Sequence, residues 1–372
     1  MTNTPKDVVT TNLVVGKKES VTDQLLLLNP VQIPLLSRLG IGAPTTQTTH
    51  IWYEDEMFGT KTVVTEEATA DATELTVADV EPFREGHIVM IGEEYVKVTK
   101  VNAGEKKLTV ERGYADTEAG EVTADTEIEV QFLEGAEGMD AVDARYKPRK
   151  KVSNVTQIFT DTIRISGTQL AVENHNIDNI YNYELDKLLT MLGLQLENAV
   201  LNGVEAYVDG IIRKMRGIRN FVKTNVMEKT GEVTLDKIQD ALGAIKDKGG
   251  FANGGTSGYV IMVPAPIKRA ISKFGIDYVR TDESSGRRGT KVDVLVTEYG
   301  EFPVVLNDNM RKDEILILDE NRLEVRPLRG REFTHEYLGK VGDRVEGMVV
   351  GEYTVEVQQE KAHALLKGVE TK

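Results

Sequence analysis

His50, His87, His175, His335 and His363 are the side chains that could hold a zinc ion. No two of them fall at i, i+3 or i, i+4, the spacing that puts two imidazoles on one helical face. The chain has no cysteine, so disulfides, thiolate metal sites and cysteine nucleophiles are excluded. The run GGFANGGTSG at Gly249–Gly258 can be tested as a phosphate cradle. A P-loop needs Gly-x4-Gly-Lys-Ser/Thr between a strand and the helix whose amides face the anion. Here the lysine is missing and the order is helix, loop, strand. No GxSxG elbow, HExxH, EF-hand loop or GxGxxG is present. Asn307-Asp308-Asn309 reads as a turn. Carboxylates are plentiful, but nothing marks any pair as catalytic, so no catalytic, cofactor-binding or metal-binding residue is expected and the chain does not read as an enzyme.

Two other groups of residues stand out. Arg145, Lys147, Arg149, Lys150 and Lys151 form the densest basic patch. It reads as a solvated face or as a surface that pairs with an acidic patch on another subunit. Leu25–Leu28, with Leu35, Leu36 and Leu39, are too many leucines for a free tail. They need a surface to cover, on this subunit or on its neighbour.

The 372 residues, 40% hydrophobic and 28% charged, suit a globular chain of two or three domains. The net charge of −15 argues against a protein whose main business is gripping nucleic acid. The longest apolar run is far shorter than a membrane span, and the polar N-terminus lacks a signal-peptide pattern. Synthesis in a cytoplasm is the expectation.

The most persistent helical pattern is Ile177–Asn202. Ile177, Tyr181, Leu185, Leu188, Leu192, Leu196 and Ala199 share one face. Asn176 stands where an N-cap acceptor belongs, Gly203 follows as a stop, and Gly193 is a mild cost. At 1.5 Å per residue, such a spine is about 40 Å long. Ser20–Leu28 and Pro34–Leu39 are short helices, the second opened by proline and closed by Gly40. Thr45–Val64 is extended and holds the only tryptophan, Trp52. Thr73–Phe132 is a series of short strands with turns at Glu85-Gly86, Gly92-Glu93 and Asn102-Ala103-Gly104, hence a small all-β unit. Residues 71–134 hold sixteen acids against six bases, a charge of −10, so this unit should project into water.

Val152–Ile165 resumes alternation, and its Asn154-Val155-Thr156 matches a glycosylation acceptor that means nothing without a secretory route. Thr234–Lys246 is an amphipathic helix on Leu235, Ile238, Leu242 and Ile245. Strands are expected at Tyr259–Val263, Val292, Phe302, Glu314 and Arg322, and in a long alternating run around Gly351. A short helix is expected at Pro266–Phe274, and a flexible loop carrying Arg287 and Arg288 at Asp282–Lys291. The class is α+β, with helices in the middle and strands on both sides.

Three ordered segments together resemble the major capsid proteins of tailed bacteriophages, with the Hong Kong 97-type fold. They are the leucine-rich arm with Pro34-Leu35-Leu36-Ser37 followed by HIWYEDEM, the long helix followed by MRGIRNF, and the tail LGKVGDRVEGMVVGEYTVEVQQEKAHALLKG preceded by EILILDENRLEVRPLRGREF. The likeness spans nearly everything outside Thr73–Phe132. It implies an N-terminal arm (1–44), an extended loop leaving through 45–70 and returning through 135–165, and a peripheral domain with the spine helix (166–220). It further implies an axial domain (221–346) and a C-terminal peripheral strand (347–372). The all-β unit (71–134) departs from the minimal pattern and would be an insertion at the end of the extended loop.

The resemblance implies a subunit that assembles with itself, through pentamers and hexamers, into an icosahedral virion shell. The shell would enclose double-stranded DNA without sequence-specific binding. A portal, with scaffold or decoration proteins, would be its further partners; no membrane and no cofactor are implied. Leu25, Leu26, Arg145, Lys150, Lys151, Arg287 and Arg288 are the expected assembly contacts. Some relatives cross-link neighbours through lysine and asparagine with the help of a glutamate; those positions do not map here and the chemistry is not carried over. The alternatives are an encapsulin-like shell around cellular cargo, a soluble enzyme with an appended β domain, and a cell-surface adhesin, the last opposed by the missing signal peptide.

Overall fold

A computed structural model of the chain describes residues 33–138, 141–142, 144–172, 179–208, 211–251, 255–273, 279–281 and 292–370. The chain forms two compact units, one made of residues up to Trp52 and from Val152 onward, the other of Tyr53–Lys151. Thr49–Glu54 and Lys150–Val155 pair as a two-stranded ribbon.

The first unit is built on the spine helix, Ile180–Asn202. It starts three residues later than the sequence suggests. The Asn179 side chain, not that of Asn176, caps it by accepting the Asn182 amide at 3.1 Å; Asn176, Ile177 and Asp178 lie outside the described residues. Leu188, Leu192, Leu196, Val200 and Leu201 are buried against a four-stranded sheet. That sheet is organised on one 14-residue strand, Arg344–Val357. Gln157–Ser166 runs antiparallel along one edge of it. Thr334–Val341 and Leu323–Pro327 share the other edge, one on each half.

Alternation along Arg344–Val357 sorts its side chains. Val349, Tyr353, Val355 and Val357 enter the core under the spine. Gly347 and Gly351 are in the same series because rings lie across them. A Cβ at 347 would strike the Tyr181 hydroxyl, and one at 351 the ring of Phe333.

Gly203 ends the spine for a reason other than a left-handed cap. Its φ is −52°, but the chain passes back over it, and the Gly217 amide donates to the Gly203 carbonyl at 2.8 Å. A Cβ at either glycine would collide with backbone.

A seven-stranded sheet completes the first unit, in the order Val226–Met227, Ala364–Lys367, Glu314–Asp319, Tyr259–Val263, Gly300–Leu306, Val292–Thr297, Val279–Thr281. Its central strand Tyr259–Val263 is apolar at every position because both faces are covered. Val260, Met262, Leu316, Leu318 and Leu365 join the core of the spine helix. Their neighbours Tyr259, Ile261, Val263, Ile315, Ile317, Ala364 and Leu366 pack with the helices Leu235–Asp247 and Ala265–Ile271. The strand pairing cuts across the expected division at Glu346. Leu323–Pro327 and Thr334–Val341 belong to the sheet of the spine, and Ala364–Lys367 to the seven-stranded sheet.

The second unit is a six-stranded antiparallel sheet in the order Lys61–Val63, Glu127–Leu133, His87–Ile91, Glu94–Asn102, Lys107–Glu111, Glu74–Thr76. A bridge between Val64 and Val77 joins its two outer strands, so the sheet closes into a small barrel. Val64, Leu75, Val77, Val89, Val96, Leu108 and Ile128 form a core of its own. The expected start at residue 71 would have cut off Lys61–Val64, a strand too short to show a period.

Candidate assembly surfaces

The arm enters the described structure at Ile33 and forms the helix Pro34–Leu39 with proline in its first turn and Gly40, at φ +67°, as its stop. Leu35 is fully buried in the core of the spine helix, with Leu36 and Leu39 packed against it. This part of the leucine cluster therefore covers its own subunit. The anchor is Glu197, a wholly buried carboxylate on the spine. It accepts the amides of Leu35 at 3.0 Å and Leu36 at 2.9 Å, and the side-chain amide of Asn307 at 2.8 Å. Burial pushes the Glu197 carboxyl above the usual carboxylate value, against the pull of these donors.

Three more buried carboxylates, Glu346, Glu352 and Glu356, line the opposite face of Arg344–Val357. Glu352 is held by Arg213 at 2.7 Å, Arg331 at 2.9 Å and the Thr156 hydroxyl at 2.6 Å. Glu356 meets His50 at 2.8 Å and Arg326 at 2.7 Å. Burial would raise the Glu356 carboxyl, but hydrogen bonds from His50 and Gln358 and the charge of Arg326 hold it below the usual range. Glu346 takes Arg344 at 2.5 Å and Arg164 at 3.3 Å. None of these four glutamates was singled out from sequence. The one available signal for Glu197 was its place beside Leu196, Val200 and Leu201 on the apolar side of the spine.

The expected contact residues fare differently. Leu25, Leu26, Arg287 and Arg288 lie outside the described residues. Arg145 donates to the Pro82 carbonyl at 2.9 Å and lies 4.4 Å over the Phe58 ring. Lys147 pairs with Glu81 and Glu56, and Arg149 with Asp55. Lys150 and Lys151 are exposed and make no ion pair among the described residues. The histidines do not converge, and among the described residues no group of three His, Asp or Glu is placed to hold a metal. His175 is outside them. Asn154 is fully buried, giving and taking bonds with Arg216 and donating to the Val355 carbonyl, so it has no room for a glycan. Asn307-Asp308-Asn309 is a turn whose Asp308 accepts the Ala265 amide at 2.9 Å.

Two apolar surfaces of the first unit face solvent. The hairpin Ala206–Val208/Ile212–Lys214 exposes Tyr207, Ile211 and Ile212, with Val204 at its base; Ile211 is 78% exposed. The strand Thr334–Val341 exposes Tyr337, Leu338 and Val341 and is tied to the spine by the Tyr181 hydroxyl, 2.7 Å from His335 Nε2. Among the described residues no helix is long and apolar enough to cross a membrane.

The family model of the SU10 major capsid protein matches residues 4–370. The chain belongs to that family. It is thus a viral capsid protein, a structural subunit and not an enzyme. Its α+β fold is of the Hong Kong 97 type. It is similar to the capsid of cyanophage A-1(L), with a TM-score of 0.56 and 10% identity over 97% of this chain and 98% of that one. It is also similar to the capsid of an empty GTA particle, with a TM-score of 0.53 and 10% identity over 97% of both chains. Microbacterium phage Oxtober96 gives a TM-score of 0.50 and 10% identity over 94% of this chain and 96% of that one. At such identities the likeness is one of fold. No curated protein matches the capsid protein in sequence.

Proposed function

We propose that this capsid protein closes into an icosahedral shell through pentamers and hexamers and encloses double-stranded DNA without reading its sequence. The observation that carries this reading is the pair of exposed apolar surfaces, the hairpin around Ile211 and the strand around Tyr337, on a subunit of a capsid family. Covering such surfaces with another copy gains about 25 cal/mol per Å² of apolar area, and heterologous contacts of this kind close by rotation. Synthesis takes place in the host cytoplasm, and a portal, with scaffold or decoration proteins, completes the particle. In this reading residues 1–44 are the arm, 45–70 and 135–165 the extended loop, and 71–134 an insertion on it that borrows Lys61–Val64 from the loop to close its sheet. Residues 166–220 and 347–372 are peripheral and 221–346 axial, except that Leu323–Pro327 and Thr334–Val341 go with the peripheral sheet and Ala364–Lys367 with the axial one. Lys150 and Lys151, with Arg145, Leu25, Leu26, Arg287 and Arg288, face neighbouring copies. The acidic balance keeps packaged DNA from adhering to the wall. Electron microscopy of the purified protein tests the proposal. Rings or shells are expected, and monodisperse monomers at every salt and protein concentration would end it.

A further inference from the structure

The barrel carries sixteen acids against six bases over residues 71–134. Its cations are accordingly taken up: Lys61, Lys97, Lys107, Arg112 and Lys147 each hold a glutamate. Lys100 and Lys106 are exposed, as lone lysines usually are. Arg84, which is half-buried, breaks this pattern, and the exposed Arg145 is laid against the same segment. Neither forms an ion pair among the described residues, although carboxylates surround them in sequence.

Arg84 stands on a turn that Arg145 reaches from outside it. Val80–His87 is folded by bonds from the Phe83 amide to the Val80 carbonyl at 3.0 Å and from the His87 amide to the Arg84 carbonyl at 3.2 Å. Arg145 reaches that turn through Pro82, two residues from Arg84, and is steadied by the Phe58 ring. His87 is 6% exposed. Its Nδ1 and the Nε of Arg84 are buried and have no hydrogen-bond partner among the described residues. Burial, then the charges of Arg145 and Arg84, push His87 down to about 4. Two like charges and two buried nitrogens thus lie at or beside one turn, with no counter-charge paired to them among the described residues.

We propose that the Val80–His87 turn and Arg145 form an oxyanion site that takes a doubly charged, phosphate-sized group on its two guanidinium forks, with Arg84 Nε and His87 Nδ1 as its buried donors. A planar fork matches two oxygens of such a group at once, and two positive charges balance two negative ones. The neighbouring carboxylates restrict entry to a ligand small enough to reach the turn.

Calorimetric titration of the full chain with sodium phosphate, against sodium chloride at matched ionic strength, tests it. Saturable binding of one phosphate per chain is expected, weakened at least tenfold in Arg84→Gln and in Arg145→Gln. Absence of saturable binding, or binding in either variant as tight as in the wild type, overturns the site. Histidine-labelled wild-type protein gives a readout that needs no variant. At about pH 8, where phosphate is mostly doubly charged, it should shift the His87 ring resonances, whereas resonances that are the same in phosphate and chloride overturn the site as well.

Discussion

Glu197 Oε1 accepts the backbone amide of Leu35 at 3.0 Å, across 162 positions of sequence. With Leu36 bound to the other oxygen, one carboxylate satisfies two of the free amides in the first turn of the arm helix. Glu197→Ala leaves those amides and Asn307 without a partner inside the core. The expected loss is about 2–4 kcal/mol, with exchange at the Leu35 and Leu36 amides rising before global unfolding. Unchanged exchange would show that packing of Leu35 alone holds the arm.

The same carboxyl sets a pH dependence. Its value is raised on folding by burial, so the folded chain keeps the proton longer than the unfolded chain does. Its contribution is fully present below the ordinary carboxylate value and disappears as pH rises through the raised one. Wild-type stability should therefore fall, relative to Glu197→Gln, as the pH climbs through that window. Urea midpoints measured in parallel would reveal a flat difference if the carboxyl were not raised.

His363 works in the opposite direction. It is fully buried, its Nδ1 accepts the Asp319 amide at 3.1 Å, and burial followed by the charge of Arg322 lowers it from 6.5 to about 4. The folded state resists a proton that the unfolded chain accepts. Stability from this group is present above pH 6.5 and is lost as pH falls toward 4, a loss of about 3 kcal/mol. His363→Gln should remove that slope; an unaltered slope in urea unfolding would assign it to other groups.

Glycines separate close approach from mere flexibility. Gly203→Ala and Gly217→Ala force backbone atoms apart and should each cost about 1–3 kcal/mol. Gly193→Ala meets only Ile33 Cδ1 at 4.0 Å and should gain about 0.5–1 kcal/mol in mid-helix. Thermal unfolding of the three variants gives the order directly.

The barrel has its own core and a closed sheet, so a fragment of residues 53–151 should fold alone and unfold cooperatively. A fragment of residues 71–134 lacks Lys61–Val64 and should not. Dispersed amide spectra from the shorter fragment would refute the need for that strand.

On the exposed hairpin, Ile211→Asp with Ile212→Asp should block particle formation while shifting monomer stability by no more than about 0.5 kcal/mol. Sedimentation and calorimetry together distinguish this from misfolding.

Local signals in the chain were sufficient wherever a residue acts on its own neighbourhood. Pro34 and Gly40 delimit the arm helix, the leucines of the spine repeat along one face, and Tyr259–Val263 is apolar throughout because it is covered twice. Glu346, Glu352 and Glu356 were not legible, since acids at alternate strand positions ordinarily mark a wet face. Only pairing at long range brings Arg213, Arg326 and Arg331 over them. Glu197 was hidden for a related reason: its partners are main-chain amides, which carry no residue-specific signature. The basic patch is one group in sequence, but its members divide between ion pairs, a ring contact and open water according to what the fold sets beside each.

Tyr259–Val263, Glu314–Asp319 and Ala364–Lys367 give alternate side chains to two different cores. The partition between them is one residue thick, so neither core can loosen without withdrawing support from the other. A push on the spine is felt directly by the helix Leu235–Asp247 on the far side, with no hinge in between to absorb it. The first unit is thereby stiffened across both of its cores, and bending within it is resisted from either side.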